Sequence, residues 1–175
     1  MKLPPAPNTA YLLLGANLGD RVAAFAQART LLSQHGKVRA ASAHYETAPW
    51  GGAAVDGQPP YLNQVLAFHT LLDPFGLLRI CQHTETSLGR ERGERWQART
   101  LDVDILLFGG LEMEFGDDLI LPHPRLAARR FALVPLHELA PYLLVPGRPR
   151  RTVAELLAAC PDEGGITNYE LRITN

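Results

Sequence analysis

Apolar stretches of strand character at 10–15, 61–70 and 100–108, with segments of helical spacing between them, place this chain in the α+β class. Residues 10–15 (Ala-Tyr-Leu-Leu-Leu-Gly) are a short apolar run closed by a glycine, which predicts a buried strand. Gly15 to Asp20 predicts a turn. Leu18, Val22, Phe25, Ala28 and Leu32 then recur at helical spacing, and Gly36 is expected to stop the helix. Residues 37–47, rich in Ala with Val38, Tyr45 and Thr47, predict a second strand. Over 61–70, Leu62, Leu66 and Phe68 fall on one face and Asn63, Val65 and His69 on the other, predicting a third strand. Asp73-Pro74 supplies an N-cap and a proline at the first helical position. Leu77, Leu78, Cys81 and Leu88 form that helix's buried stripe, and Gly89 closes it. Residues 100–108 predict a fourth strand, ended by Gly109-Gly110.

Strand, helix, strand, strand, helix, strand is the order of the split βαβ unit. The expected fold is therefore a ferredoxin-like βαββαβ core with a C-terminal α/β extension, three-layer-like. Within 111–175, Phe131 to Leu136 predicts an edge strand and Thr152 to Cys160 a short capped helix. Residues 1–9 are expected as a frayed tail and 10–175 as a single domain. Following the chain up and down through these elements brings the turn 15–20 and the long loops 48–60 and 89–99 to one end. Structureless loops of ~12 residues are uncommon and tend to be functional.

The 175 residues suit one domain, and 17 basic against 18 acidic residues leave a net charge of −1. That balance disfavours a nucleic-acid coat protein or a polybasic membrane binder. No apolar run reaches the ~18 residues of a membrane span, and the first seven residues lack the apolar core of a secretory leader. Two cysteines without a CxxC argue against a zinc site or disulfide framework and for a reduced, cytoplasmic setting. All but Lys2 and Lys37 of the 17 basic residues are arginine, and no GxxxxGK[ST] phosphate loop occurs.

The sharpest chemical feature is Asp102-Val103-Asp104. On a strand the two acids share a face, while Leu101, Val103, Ile105 and Leu107 share the other. Two adjacent carboxylates repel unless neutralised. Magnesium, which takes carboxylates together with waters and phosphate oxygens, suits them; an edge strand with two solvated acids is the alternative. Upstream, Gly89 to Arg99 holds Arg90, Arg92, Arg95 and Arg99, whose forks match phosphate oxygens. A triphosphate satisfies both features; a solvated Arg/Glu loop is the bland reading. Gln82 and Glu85 share a helical face, as an ordinary polar surface also would. Tyr61 and Asn63 share a strand face and could stack on and read a flat heterocycle, or be simple half-buried neighbours. Trp50, in Pro49-Trp50-Gly51-Gly52, has a lid-like context. His123, in Leu121-Pro122-His123-Pro124, reads as a phosphate donor or a capped loop histidine. The other five histidines show no metal-ligand spacing. No nucleophile motif is present, so the residues point to metal-dependent phosphate transfer rather than covalent catalysis.

These same residues carry a resemblance. Leu14-Gly15-Ala16-Asn17-Leu18-Gly19-Asp20, Tyr45-Glu46-Thr47-Ala48-Pro49-Trp50-Gly51, Tyr61-Leu62-Asn63 and Gly89-Arg90-Glu91-Arg92 begin it. Arg95-Trp96-Gln97-Ala98-Arg99-Thr100-Leu101-Asp102-Val103-Asp104 and Pro122-His123-Pro124-Arg125, through Arg129 and Phe131 to Leu136, complete it. From Tyr11 to about Pro141 the chain is similar to the 6-hydroxymethyl-7,8-dihydropterin pyrophosphokinase family. The resemblance implies transfer of the β,γ-pyrophosphate of ATP to the pterin hydroxymethyl group, with release of AMP, in folate biosynthesis. It implies two Mg2+ ions on Asp102 and Asp104, and assistance to transfer from Arg90 and Arg99. Gln82, Glu85, Arg92, Arg95, Trp96, Arg99, Ile105, His123 and Arg129 fall at positions that contact ATP or close over it. Tyr61 and Phe131 match the rings that sandwich the pterin; Asn63 matches the amide that reads its edge, with Thr47, Pro49 and Trp50 beside it. Two departures stand out: Gln97-Ala98 replaces the usual Gly-Pro, and Trp50 replaces a smaller aliphatic residue.

The implied partners are the pterin and ATP, with no nucleic acid, no membrane and a monomeric state. An RNA-binding module on a similar sheet is the competing reading. It needs aromatic residues on the central strands, where this chain has Leu-Leu-Leu and Asp-Val-Asp.

Overall fold

The computed structural model describes residues 7–50, 57–89 and 99–170. Its elements run β1 (Asn8–Ala16), α1 (Arg21–Leu32), β2 (Lys37–Ala41), β3 (Tyr45–Thr47), β4 (Tyr61–Thr70), α2 (Pro74–Ser87) and β5 (Asp102–Phe108). Then follow the hairpin β6 (Met113–Phe115) and β7 (Leu119–Leu121), α3 (Arg130–Leu139), β8 (Leu144–Val145), β9 (Arg151–Thr152), α4 (Val153–Ala158) and β10 (Ile166–Asn168). The fold is mixed α and β. The main sheet has the order β10-β3-β4-β1-β5, with β2 also on β4, and all its pairings are antiparallel.

Each sheet face carries its own apolar cluster. Leu12, Leu14, Leu62, Leu66, Val103 and Ile105 point toward Phe25, Ala28 and Leu32 of α1 and Leu77 and Cys81 of α2. Leu13, Val65, Leu106 and Leu107 point the other way, toward Leu133 and Leu136 of α3 and Val153 and Leu156 of α4. With both faces covered, β1 and β4 read as near-continuous apolar runs rather than alternating ones. Among the described residues no helix is long and apolar enough to cross a membrane.

Several local expectations are corrected. β1 opens at Asn8, so Asn8 and Thr9, expected in the tail, pair with Thr70 and His69. The second strand is two strands, because Ser42 turns its Oγ back to accept from the Val65 amide and breaks the run at 42–44. α1 ends at Ser33 rather than Gly36. A Cβ on Gly36 would overlap the His69 carbonyl oxygen and the Phe68 ring, so this glycine permits a close approach. Leu107 does not share a face with Val103 and Ile105. The pairings Leu12 with Ile105 and Tyr11 with Leu107 leave Leu106 as a bulge, which sends Leu107 to the α3 layer. The segment from Phe131 to Leu136 is helical, not an edge strand: Ala132, Leu133 and Leu136 form one buried stripe of α3, which accommodates Pro135. The expected helix at Thr152 to Cys160 is α4, capped by reciprocal bonds between Thr152 and Glu155.

Candidate active site

The ladder decides which side chains meet. Gly15 pairs with Asp102 on one side and Asn63 on the other, and Asn63 pairs in turn with Tyr45. One step away, Leu13 pairs with Asp104; on the outer side, Thr47 pairs with Tyr61. Paired residues share a face. Two carboxylates, a bare glycine and an amide therefore line up across β5, β1 and β4, on the α3 side of the sheet. They form the floor of a cavity of about 670 Å3. A Cβ on Gly15 would stand at ordinary contact distance from Asn63 Oδ1 and the Tyr61 ring, so its absence leaves that floor flat.

One half of the cavity is charged. Arg99 Nη1 lies 2.7 Å from Asp102 Oδ2, and Arg129 Nη1 lies 3.0 Å from Asp104 Oδ2. Arg129 is 7% exposed and its Nε is buried without a hydrogen-bond partner, so this guanidinium is desolvated beside the acid pair. Burial pulls its pKa below the ordinary arginine value, with Asp104 acting against the shift. His123 stands behind Asp104. Burial, then Arg129 and Arg125, push its pKa down to about 4, so the ring is neutral at pH 7. The Arg125 amide donates to Nδ1 at 3.1 Å, and Nε2 is the ring's other nitrogen. That Nε2 lies 3.7 Å from Asp104 Oδ2 and 3.3 Å from Arg129 Nη1.

The other half is aromatic. Trp50 meets Phe131 edge-on at 6.2 Å between ring centroids. The Arg129 guanidinium sits 5.6 Å from the Trp50 ring and 5.4 Å from the Phe131 ring, so one residue joins the acids to the aromatics. Tyr61 lines the same space, and burial raises its phenol pKa, keeping it neutral at pH 7. Asn63 Nδ2 donates to Tyr45 O at 3.3 Å and to Thr47 Oγ1 at 3.0 Å. With its donors committed to β3, its Oδ1 is the atom turned toward the Gly15 floor.

Three connections are fastened at this end by Asn17, which is 3% exposed. Its Oδ1 accepts from the Arg99 amide at 2.7 Å; its own amide and that of Leu18 donate to Arg99 O; its Nδ2 donates to Gln58 Oε1 and Pro59 O.

Comparison with known proteins decides the family. Residues 11–141 match the family model described as 7,8-dihydro-6-hydroxymethylpterin-pyrophosphokinase (HPPK). The chain belongs to the HPPK family. It is 42% identical over 163 residues to the 2-amino-4-hydroxy-6-hydroxymethyldihydropteridine pyrophosphokinase of Methylorubrum extorquens, covering 92% of this chain and 98% of that one. It is 38% identical over 164 residues to the protein of the same name from Bacillus subtilis, covering 93% and 96%. Among solved structures, Plasmodium falciparum HPPK-DHPS with pteroate aligns with a TM-score of 0.69 at 15% identity. That alignment covers 90% of this chain but spans only 43% of the other, and it speaks for the fold alone. As an HPPK the chain is an enzyme, a transferase of the pyrophosphokinase kind.

In this HPPK the cavity brings together Thr47, Trp50, Tyr61, Asn63, Arg99, Asp102, Asp104, Arg129 and Phe131 from the sequence reading. Gln82, Glu85, Ile105, His123 and Pro49 are not among its lining residues. Gln82 is exposed on α2, whereas Glu85 is buried, with Oε1 accepting from the Val103 amide at 2.8 Å. Ile105 packs its side chain into the α1/α2 layer. Arg90, Arg92, Arg95 and Trp96, together with the Gln97-Ala98 departure, lie outside the described residues. The reading missed Gly15, Asp117, Ile120 and Arg125 as lining residues. Arg125 was visible in Pro122-His123-Pro124-Arg125; Asp117 and Ile120 come from the β6–β7 hairpin folding back over the cleft, which no local pattern signals.

Proposed function

We propose that this protein transfers the β,γ-pyrophosphate of ATP to the hydroxymethyl group of 6-hydroxymethyl-7,8-dihydropterin, releasing AMP, as a step of folate biosynthesis. The observation that carries the reading is the single floor on which the Asp102/Asp104 pair and the Tyr61/Asn63 pair flank Gly15. A polyanion and a flat heterocycle placed on its two halves would meet over the glycine. The names of the HPPK relatives support the choice of pterin.

The donor set suits magnesium. Asp102 and Asp104 offer hard oxygens on one face, and among the described residues no group of three or more His, Cys, Asp or Glu forms a closed cage. A site of two carboxylates completed by waters and substrate phosphates is the usual magnesium arrangement. In this reading Asp102 and Asp104 hold two Mg2+ ions. Bound there, magnesium neutralises the acids and polarises the phosphate oxygens of the nucleotide.

The chain's own residues do the positioning. Arg99 and Arg129 hold the acids in this structure, and releasing them frees two guanidinium forks for phosphate oxygens. Arg90, Arg92, Arg95 and Trp96 belong to the loop that closes over the triphosphate, with Gln82, Glu85, Ile105 and His123 on the nucleotide side. His123, held neutral by burial, stands with Nε2 3.7 Å from Asp104 Oδ2, beside the acid pair. Tyr61 and Phe131 stack on the pterin, the Asn63 amide reads its edge, and Thr47, Pro49 and Trp50 complete that wall. The hydroxymethyl oxygen then bonds to the β-phosphorus as the bond from that phosphorus to the AMP oxygen breaks, and the hydroxyl proton passes to water. Such a transfer depends on alignment and charge neutralisation more than on acid-base groups. ATP binds first, because its phosphates draw in the arginines. The ferredoxin-like arrangement of the core, action as one domain and monomer, and a cytoplasmic setting belong to the same reading.

Product analysis tests it. Purified protein with Mg2+, ATP and the reduced pterin should form AMP in step with pyrophosphorylated pterin, and none when pterin is omitted. ADP as the nucleotide product would reject the reading.

A further inference from the structure

β3 is a strand of only three residues, yet it supplies Thr47 and orients Asn63. One of its edges is on β4. The other is covered by β10, from beyond the 11–141 span that matches the HPPK family model. Ile166 pairs with Thr47, Thr167 with Glu46 and Asn168 with Tyr45, and the Tyr169 amide donates to His44 O at 2.9 Å. In an antiparallel ladder hydrogen-bonded pairs alternate, so Thr167 and Glu46 fall in the same bonded class as Tyr169 and His44.

The junction is clasped just beyond the strand. Glu170 accepts the His44 amide at 3.0 and 3.1 Å, and its Oε1 lies 2.6 Å from His44 Nδ1. Arg21 reinforces the corner from α1: it reaches Glu46 Oε2 at 3.0 Å and the Pro60 carbonyl at 2.8 Å, and its guanidinium lies 5.5 Å from the Tyr169 ring. Without β10, β3 would keep β4 as its one strand partner, with Arg21 on Glu46 and Glu138 on the Tyr45 hydroxyl, and its outer backbone groups would be open.

We propose that β10 and Glu170 are a positioning element for the pterin-side half of the cavity. The chain of contacts is short. β10 fixes β3; Tyr45 O and Thr47 Oγ1 then hold both donor positions of the Asn63 amide; Asn63 Oδ1 is thereby kept toward the Gly15 floor. The acid half has no such dependence, because Asp102 and Asp104 sit on β5, at the opposite edge of the sheet. β10 therefore acts on pterin recognition and leaves nucleotide binding alone. This inference rests on the assignment of Thr47 and Asn63 to the pterin.

The test uses full-length Thr167→Pro, which removes the β10 amide from the ladder, Glu170→Ala, Glu170→Gln and Asn63→Ala, with KM for each substrate and kcat measured. Thr167→Pro and Glu170→Ala should each raise KM for the pterin about tenfold, the equivalent of one or two lost hydrogen bonds. KM for ATP and kcat should stay within about twofold. Glu170→Gln, which keeps an acceptor oxygen for His44, should restore the wild-type pterin KM. An unchanged pterin KM in Thr167→Pro and Glu170→Ala, with Asn63→Ala raising it, overturns the role of β10 and leaves the pterin assignment standing. An unchanged pterin KM in Asn63→Ala overturns that assignment and this inference with it. A parallel rise in both KM values, or a fall in kcat, marks a general structural effect and also overturns it.

Discussion

Arg129 is the residue on which the two halves of the site depend. It is buried, holds Asp104 at 3.0 Å, and touches the rings of Trp50 and Phe131. Its neighbour His123 is held neutral, with a pKa near 4 caused first by burial and then by Arg129 and Arg125. An unfolded histidine titrates near 6.5, so between about pH 6.5 and 4 the unfolded chain binds the extra proton and the folded chain does not. Stability of the ligand-free protein should therefore fall as pH drops through that window, by roughly 2–3 kcal/mol. Denaturant melts at pH 7 and pH 4.5 check this, and His123→Asn should flatten the difference by removing the titrating ring. Gly15 makes a second prediction at this scale. A side chain there fills the floor without backbone strain, since its Cβ would meet only Asn63 and Tyr61 at contact distance. Gly15→Leu should keep its melting temperature within a few degrees and lose at least about tenfold in kcat/KM. Steady-state assay beside a thermal melt separates the two effects.

Among the elements, the legible parts were those set by local pattern. The caps at Asp73 and Thr152 formed as their residue types dictate. Asp102 and Asp104 share a face because strand side chains alternate. What could not be read depends on a partner strand. The Leu106 bulge exists because β1 and β5 slip by one residue, and nothing in Asp102–Phe108 alone announces it. Phe131 to Leu136 mixes aromatic and branched residues with Pro135, which favours a strand on local grounds, but its buried stripe against Leu13 and Val65 selects a helix. Gly36 does not end α1; it is required where the chain after α1 passes over Phe68 and His69. Gly36→Ala should destabilise the protein by about 1–3 kcal/mol through overpacking. Chemical denaturation should show a lower midpoint with an unchanged slope.

Across the whole molecule, the sheet separates support from chemistry. Its α1/α2 face is closed by an apolar cluster, while its α3 face is open at the end where β1 stops and Asn17 ties Arg99 to Gln58 and Pro59. Acids at one edge strand and the amide-bearing strand two places away are brought to one floor by the order β4-β1-β5. The direct test of this account is calorimetric titration with a non-hydrolysable ATP analogue, with and without Mg2+, on the wild type and on Asp102→Asn/Asp104→Asn. The account predicts that Mg2+ strengthens nucleotide binding to the wild type by at least about tenfold and adds nothing in the double variant. An equal gain from Mg2+ in both proteins would contradict it.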